Sequence, residues 1–419
     1  MMYGISKQKI RVVPDGRGWE KIRKLRAIFF VLILGIPRQG WGETFVYKHE
    51  IGNKYRILSV VHEDVYINRI FSHRARILNR VSVEITGLEG ESARHHATFT
   101  TSEELLEGGG VFHWGNEYVS VFDRDRQGRM TIEPQYYMPV VRNVPVFPGR
   151  DIQEGETWTA EGSEMHDFRE AFGIEQPYRI PFEATYTFLG NRTWGGRRYP
   201  VFSVSYRIFY EPPAAMGRVW PRRIMGSSDQ MVYWDPEIGQ ALVYDENFRM
   251  IFELSNGTTV EYRGQAWAQI LESEIMKKEE AAQTIADEIN RLGINDASVR
   301  IVDEGITISL ENIQFQPDSA ILLASEKEKL DKIGDILMRF ADRDILVGGH
   351  TALAGTAAGR MKLSQDRAAA VASYLISKGV RESPRVVIRG YGAERPVADN
   401  STAEGMRRNR RVEITLLEN

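Results

Sequence analysis

Hydrophobic positions along the chain change their spacing twice. From about Thr44 to about Trp267 apolar residues recur every second position, in runs such as Tyr55-Arg-Ile-Leu-Ser-Val-Val61, Arg80-Val-Ser-Val-Glu-Ile-Thr86 and Tyr199-Pro-Val-Phe-Ser-Val-Ser-Tyr-Arg-Ile-Phe209. Such runs, rich in Val, Ile, Tyr and Phe and separated by Gly, Asn and Asp clusters, predict antiparallel strands. The stretches "GNRTWGGRRY" and "ELSNGTTVEY" supply hairpin turns. Pro134, Pro139, Pro145 and Pro148 interrupt the pattern, and proline cannot serve a central strand. The expected division is therefore two β-rich domains, 43–139 and 140–268.

The period then lengthens. "ESEIMKKEEAAQTIADEINRLG" sets Ile275, Ala282, Ile285 and Ile289 on one helical stripe and ends in Gly293. Residues 269–297 are thus expected to be a linker helix lying on the last domain. From Ser298 to the end, strands and helices alternate. "VRIVDEGITISL" reads as a hairpin, and "EKEKLDKIGDILMRFA" as a helix burying Leu330, Ile333, Ile336, Leu337 and Phe340. "ILVGG", "RVVIRG" and "RVEITLL" read as further strands. A multidomain protein follows: a β-rich antiparallel N-terminal part of one or two domains, a linker helix, and a C-terminal α/β sandwich over 298–419.

Residues 1–42 differ from the rest. Lys21, Arg23, Lys24 and Arg26 precede the apolar run 27–34, and Gly40 and Gly42 follow, the order of a secretory signal peptide. No transmembrane segment is expected in the mature chain. The 419 residues contain no cysteine, which removes disulfides, thiol chemistry and the acceptor for a lipoprotein anchor. A periplasmic or envelope location is the expectation. The formal net charge of -3, with signs mixed, gives no basic footprint for nucleic acid.

Candidate chemistry is sparse. "DRDRQG" (123–128) begins like a calcium loop, but Pro134 stands where the twelfth-position glutamate should be, so a hairpin turn is expected. His95 and His96 are adjacent on a strand and point to opposite faces, which prevents them from chelating one metal. "GSSDQ" lacks the spacing of a nucleophile elbow. No catalytic residue, metal site or cofactor is assigned, and the chain is read as a non-enzyme. Of the basic run 407–411, one or more arginines are expected to make structural contacts.

The stretch 349–371, "GHTALAGTAAGRMKLSQDRAAAV", reads as a strand end, a loop of small residues and a helix carrying Arg367 beside Val371, Tyr374 and Leu375. With Ile313-Gln-Phe315, Gly349-His-Thr351, Leu363-Ser364, Arg367-Ala368, Gly390-Tyr-Gly392, Pro396 and Asn409-Arg-Arg-Val-Glu413, it resembles the OmpA C-terminal domain of the OmpA/MotB-like family. That resemblance implies an α/β sandwich over roughly 300–419 that binds peptidoglycan through diaminopimelate. The implied site positions are Thr351, Ala352, Arg360, Arg367 and Asn409. The ligand's free end carries an ammonium and a carboxylate, which call for an acid and an arginine fork. Arg367 keeps the arginine, whereas Ala352 replaces the family's acid, Arg360 its asparagine and Met406 a further arginine. Losing one partner of a desolvated charge pair costs about 2–5 kcal/mol, so peptidoglycan binding is expected to be weakened or lost unless Asp318 or Glu404 substitutes.

The resulting expectation is an envelope binding or scaffolding protein with envelope-protein partners. Its rivals are a wall anchor with an altered pocket and a periplasmic carrier of lipid or another apolar ligand, with Phe182, Tyr186, Phe188, Tyr206 and Phe209 around a cavity. A third rival, an outer-membrane barrel over 44–268, fits poorly with charges on both strand faces.

Overall fold

The computed structural model describes residues 42–104, 110–175, 177–214, 219–272, 276–311, 313, 315 and 319–418. The signal-peptide expectation lies almost wholly outside these residues. Among the described residues no helix is long and apolar enough to cross a membrane.

The N-terminal half opens with the long hairpin β1 (Lys54–Ile67) and β2 (Ile70–Glu89). Its two-residue turn holds Asn68 at φ 50° and Arg69 at φ 68°, the left-handed pair whose twist suits a tight hairpin. There follow β3 (Ser92–Glu104), the short β4 (Phe112–His113), β5 (Glu117–Asp125), β6 (Met130–Ile132) and β7 (Val141–Arg142). β8 (Thr157–His166) leads through a single helical turn, α1 (Arg169–Phe172), into β9 (Tyr178–Trp194). The meander ends with β10 (Arg197–Tyr210), β11 (Pro221–Asp235), β12 (Gln240–Leu254) and β13 (Thr259–Glu272).

These strands make one sheet. β1 lies between β2 and β13, pairing with β13 from Tyr55↔Glu272 to Ile67↔Val260. From β13 the sheet continues through β12, β11, β10 and β9 to β8; from β2 it continues through β3 to β5. The break expected near residue 140 is therefore not a break between sheets. Strands on both sides of it share a continuous ladder through the β1–β13 pair. The proline-rich stretch instead crosses from β6 to β8, where Ser120 Oγ donates to Met138 O at 2.7 Å and Met165 N donates to Val140 O.

Alternation sends aromatic residues to one face. Phe45, Phe147, Trp158, Phe188, Phe202 and Trp234 form the centre of the N-terminal core, with Phe45 and Phe147 stacked at 5.2 Å. Phe182, Tyr186, Phe188 and Tyr206, which the carrier reading set around a cavity, pack into this core instead, and Phe209 is 66% exposed. It stands three positions from Tyr206, so on a strand it must face the opposite side. Asp123–Gly128 spans the end of β5 and the turn to β6, with Asp125 Oδ1 accepting from Gln127 N and Arg129 N.

The C-terminal part begins after β13, which ends at Glu272, so strand occupies 269–272 where the linker helix was expected. α2 (Lys278–Arg291) buries Ile285 and Ile289 against the last domain, and Gly293 closes it at φ 66°. Ile275 lies outside the described residues. The hairpin β14 (Ala297–Val302) and β15 (Gly305–Glu311) is followed by α3 (Ala324–Met338) and β16 (Ile345–Gly349). Then come α4 (Ala357–Ser377), β17 (Val386–Gly390), α5 (Ala403–Asn409) and β18 (Arg411–Leu417). The sheet order β14-β15-β18-β16-β17 packs its apolar face on α2, α3 and α4. Leu330, Ile333, Ile336 and Leu337 are buried on α3; Phe340 lies beyond the helix end and is half-buried.

The two parts are joined through the sheet as well as through the chain. β4 pairs in parallel with β17, the edge strand of the C-terminal sheet, and Trp114 N donates to Ile388 O at 2.7 Å. Leu58, Val60, Leu78 and Phe112 pack with Leu346, Val387 and Leu417. Between them Asp344, 1% exposed, meets Arg56 (3.1 Å), Arg80 (3.2 Å) and Arg385 (2.8 Å). Burial alone would raise the Asp344 pKa; the charges of Arg80, Arg56 and Arg385 outweigh it and hold the carboxyl below its ordinary value.

Candidate functional site

Four short segments build the site at the C-terminal end of β16 and β17. Glycines bring α4 unusually close to the sheet. A Cβ on Gly349 would stand 1.9 Å from Ser364 O, and one on Gly390 would stand 2.8 Å from Ser364 Oγ. Ser364, fully buried, donates to Met361 O at 2.8 Å and accepts from Gly392 N at 2.9 Å, tying α4 to the Gly-Tyr-Gly turn. Thr351 N donates to Gly392 O at 2.8 Å, so the strand end and that turn are clasped together.

α4 begins earlier than the composition of its leading loop suggested. Thr356 Oγ1 accepts from Gly359 N at 3.1 Å, a side-chain N-cap, so Ala357–Arg360 form the first helical turn. Arg360 sits in that turn and folds back, its Nη1 donating to Gly355 O at 2.6 Å. The backbone of Arg360 also lies next to Gly392, within 3.7 Å of where a Cβ would be.

Thr351 and Ala352 are both buried, at 6% and 5% exposure. The Thr351 hydroxyl has no hydrogen-bond partner among the described residues, and an orphaned buried hydroxyl calls for an explanation such as a ligand or a water. Ala352 contributes a methyl group where an acid was expected. Arg367 lies farther along α4, with its guanidinium 4.9 Å from the Phe315 ring and its Nε 3.5 Å from Ser319 O. Its contacts thus include the segment before α3.

Asn409 holds a loop. Its Oδ1 accepts from Val397 N and Ala398 N, and its Nδ2 donates to Ala398 O and to Asn400 Oδ1, all between 2.8 and 3.0 Å. Asn400 Oδ1 also accepts from Leu353 N at 3.0 Å. Asn409 therefore reaches the Ala352 loop through Asn400, a residue that sequence reasoning missed; an Asn closing the run Pro396–Asn400 was the available signal. His350 and Tyr391, also unassigned from sequence, stack at 4.8 Å behind the loop, and Arg395 lies 4.3 Å over the Tyr391 ring.

Two acids near these segments are engaged. Glu404 pairs with Arg407 at 2.6 Å on α5, and Asp366 pairs with Lys362 at 3.0 Å. Asp318 lies outside the described residues. In the basic run, Arg407 bonds Glu404, Arg408 lies 3.5 Å from Glu311, and Arg411 meets Glu413 at 2.6 Å and Arg395 O at 3.0 Å.

Residues 314–410 match the model of the OmpA family. The chain is 40% identical over 103 residues to outer membrane protein A of Bordetella avium, covering 25% of this chain and 53% of that protein. It is 36% identical over 104 residues to the peptidoglycan-binding protein ArfA of Mycobacterium tuberculosis, covering 25% and 32%. Among solved structures, the cell wall anchor of the T6SS from Pseudomonas aeruginosa is 30% identical, covering 34% of this chain and 99% of that one, with a TM-score of 0.29. The chain thus spans about half or less of these curated relatives, and the matched stretch coincides with the segments that build the site: residues 314–410 form a domain of the OmpA family.

Proposed function

We propose that this chain is an exported, non-enzymatic protein of the bacterial envelope, a binder or scaffold whose OmpA-family domain has lost most of its grip on peptidoglycan. One observation carries the reading. Ala352, which is buried, stands at the sequence position where the family resemblance implies the acid that would pair with the diaminopimelate ammonium. Arg367 is of the type that takes a carboxylate, and bidentate pairing of that kind is what guanidinium groups do well. An ammonium left without its acid costs about 2–5 kcal/mol, and every 1.4 kcal/mol or so is tenfold in affinity. Arg360 adds a like charge to the same rim. Relatives named as peptidoglycan-binding or as a wall anchor support an envelope role, and the short resemblance leaves the rest of the molecule's work to its N-terminal sheet.

Sedimentation of the full chain with purified peptidoglycan sacculi tests the proposal. The native protein is expected to stay largely in the supernatant. Ala352→Asp, with an unchanged melting temperature as its folding control, is expected to sediment at least about tenfold more strongly. Adding Arg367→Ala to that variant should abolish the gain. Strong sedimentation of the native chain that Arg367→Ala removes would instead establish a wall anchor with a rebuilt site.

A further inference from the structure

The N-terminal sheet holds a cavity of about 300 Å³ between its inner face and the proline-rich crossing. Register explains its lining. Ser59 stands opposite Ala268 and Asn79, and Ile57 opposite Ile270 and Val81, so these residues share one face across β2, β1 and β13. Tyr244 joins them from β12, where it pairs with Ala268. Met138, Val140 and Val144 cover them from the crossing. The opposite face of β1, bearing Arg56, Leu58 and Val60, is the one seated on the C-terminal domain. The cavity is therefore separate from the OmpA-family site.

Its volume is about twice that of an apolar cavity known to take one benzene, which corresponds to a chain of roughly a dozen carbons. It sits at the lower end of the range for small-molecule sites, which combine an apolar wall with few polar groups. One of those polar groups is out of balance. Arg124 lies in the lining with Tyr47 and Tyr55, 4.9 Å from the Tyr47 ring centroid. Its Nε is buried without a hydrogen-bond partner among the described residues, and its Nη2 donates to Met130 Sδ at 3.6 Å. Among the described residues it forms no ion pair, although the neighbouring Arg94 and Arg129 pair with Asp123 and Asp125. A half-buried guanidinium with aromatic neighbours and no carboxylate of its own matches the carboxylate of a ligand. At the inner part of the cavity, Glu246 is held by Ser228 Oγ at 2.6 Å and by Gln230 Nε2 at 3.3 Å. Burial pushes its pKa above the ordinary carboxylate value.

We infer that this cavity binds a single-chain fatty acid of about twelve carbons, its carboxylate on Arg124 and its tail along Ile57, Val81, Phe99, Met138 and Ile270. The ligand need undergo no reaction; the sheet would hold or carry it.

Titration calorimetry on the full, delipidated chain tests this, with dodecanoate and dodecan-1-ol as probes. Dodecanoate is expected to bind with one-to-one stoichiometry and at least tenfold more tightly than the alcohol. Arg124→Gln should weaken dodecanoate about tenfold or more while leaving the alcohol unchanged. Ala268→Phe fills the cavity from the sheet and Val140→Trp fills it from the crossing; whichever variant retains the native melting profile should bind neither probe. No binding of dodecanoate to the native chain, or binding that survives a folded filling variant, overturns the site. Equal affinity for acid and alcohol, unchanged by Arg124→Gln, overturns the assignment of the carboxylate.

Discussion

The OmpA-family domain and the N-terminal sheet encode their sites in different ways. In the first, the site depends on backbone contacts that only particular residues permit: Gly349 and Gly390 let Ser364 reach the sheet, and Ser364 then fastens the Gly392 turn. Such requirements are local, and short motifs report them. In the second, one strand serves two neighbours at once. On β1, Tyr55, Ile57 and Ser59 face the cavity, while Arg56, Leu58 and Val60 face the other domain. Alternation tells that the faces differ, but not what covers either. A site written in close approaches can be read from a motif, whereas a site written in faces has to be seen in its register.

The contact between the two regions offers the strongest way to break them apart. Asp344→Ala leaves the buried Arg56 and Arg80 and the half-buried Arg385 with no carboxylate. Removing one partner of a buried ionic cluster costs about 3–5 kcal/mol. The expected result in calorimetry is a lower first transition and a split of one melting event into two, as the sheet and the OmpA-family domain uncouple. A single transition shifted by less than a degree would mean that the apolar contacts of Leu58, Val60 and Leu78 suffice.

Next in size is a test of the close approach itself. Gly349→Ala puts a methyl against the backbone oxygen of Ser364, which cannot move without its helix, and overpacking of this kind costs about 1–3 kcal/mol or somewhat more. Gly226→Ala, in β11, makes an ordinary contact with Ile208 Cβ at 3.4 Å and crowds the far end of Met250, 2.9 Å away. That flexible side chain can turn aside, so the change is expected to stay within about 1 kcal/mol. Chemical denaturation of both variants measures the contrast, and equal losses would contradict it.

Legibility followed the same line. The order of strands and helices from Ser298 onward, the capping Gly293, and the inward residues of α3 were all readable, because period and caps act within a few residues. Part of the loop of small residues is the first turn of α4, since alanines and Gly359 look like loop until Thr356 is recognised as the cap. The N-terminal part was legible as strands but not as one sheet. The decisive pairing, β1 with β13, joins residues about two hundred positions apart, and no periodicity carries that information. The proline cluster was visible, but that it covers a cavity on a continuous sheet was not. At the site, Thr351, Ala352, Arg360, Arg367 and Asn409 were named from the resemblance; Asn400 was not, because its importance arises only where Asn409 and Leu353 meet on its side chain.

That meeting point gives a smaller test. Asn409→Ala strips partners from Val397 N and Ala398 N, and buried groups left unpaired cost about 1–3 kcal/mol. Amide hydrogen exchange should quicken at Val397, Ala398 and Leu353, while the amides of β1 and β13 stay protected. Exchange that rises equally in the N-terminal sheet would mean the loop is not an independent unit.

The smallest effect comes from acid. The Asp344 pKa is lowered in the folded protein, below its unfolded value of about 3.9. A lowered carboxylate contributes stability that is complete above the unfolded value and is lost as pH falls through the folded one. Protons therefore favour the unfolded or undocked state only below about pH 4. The melting temperature of the native chain should exceed that of Asp344→Asn by a constant amount from about pH 7 to about pH 5, and the gap should close only in stronger acid. A gap that narrows between about pH 7 and pH 5 would assign the dependence to another group and leave the arginine cluster without its anchoring role. Because the ion pairs lie at the seam, the closing of the gap should also coincide with the appearance of two melting transitions in the native protein. That coincidence links proton uptake at one carboxyl to separation of the two regions, which a general acid destabilisation of either region alone would not produce.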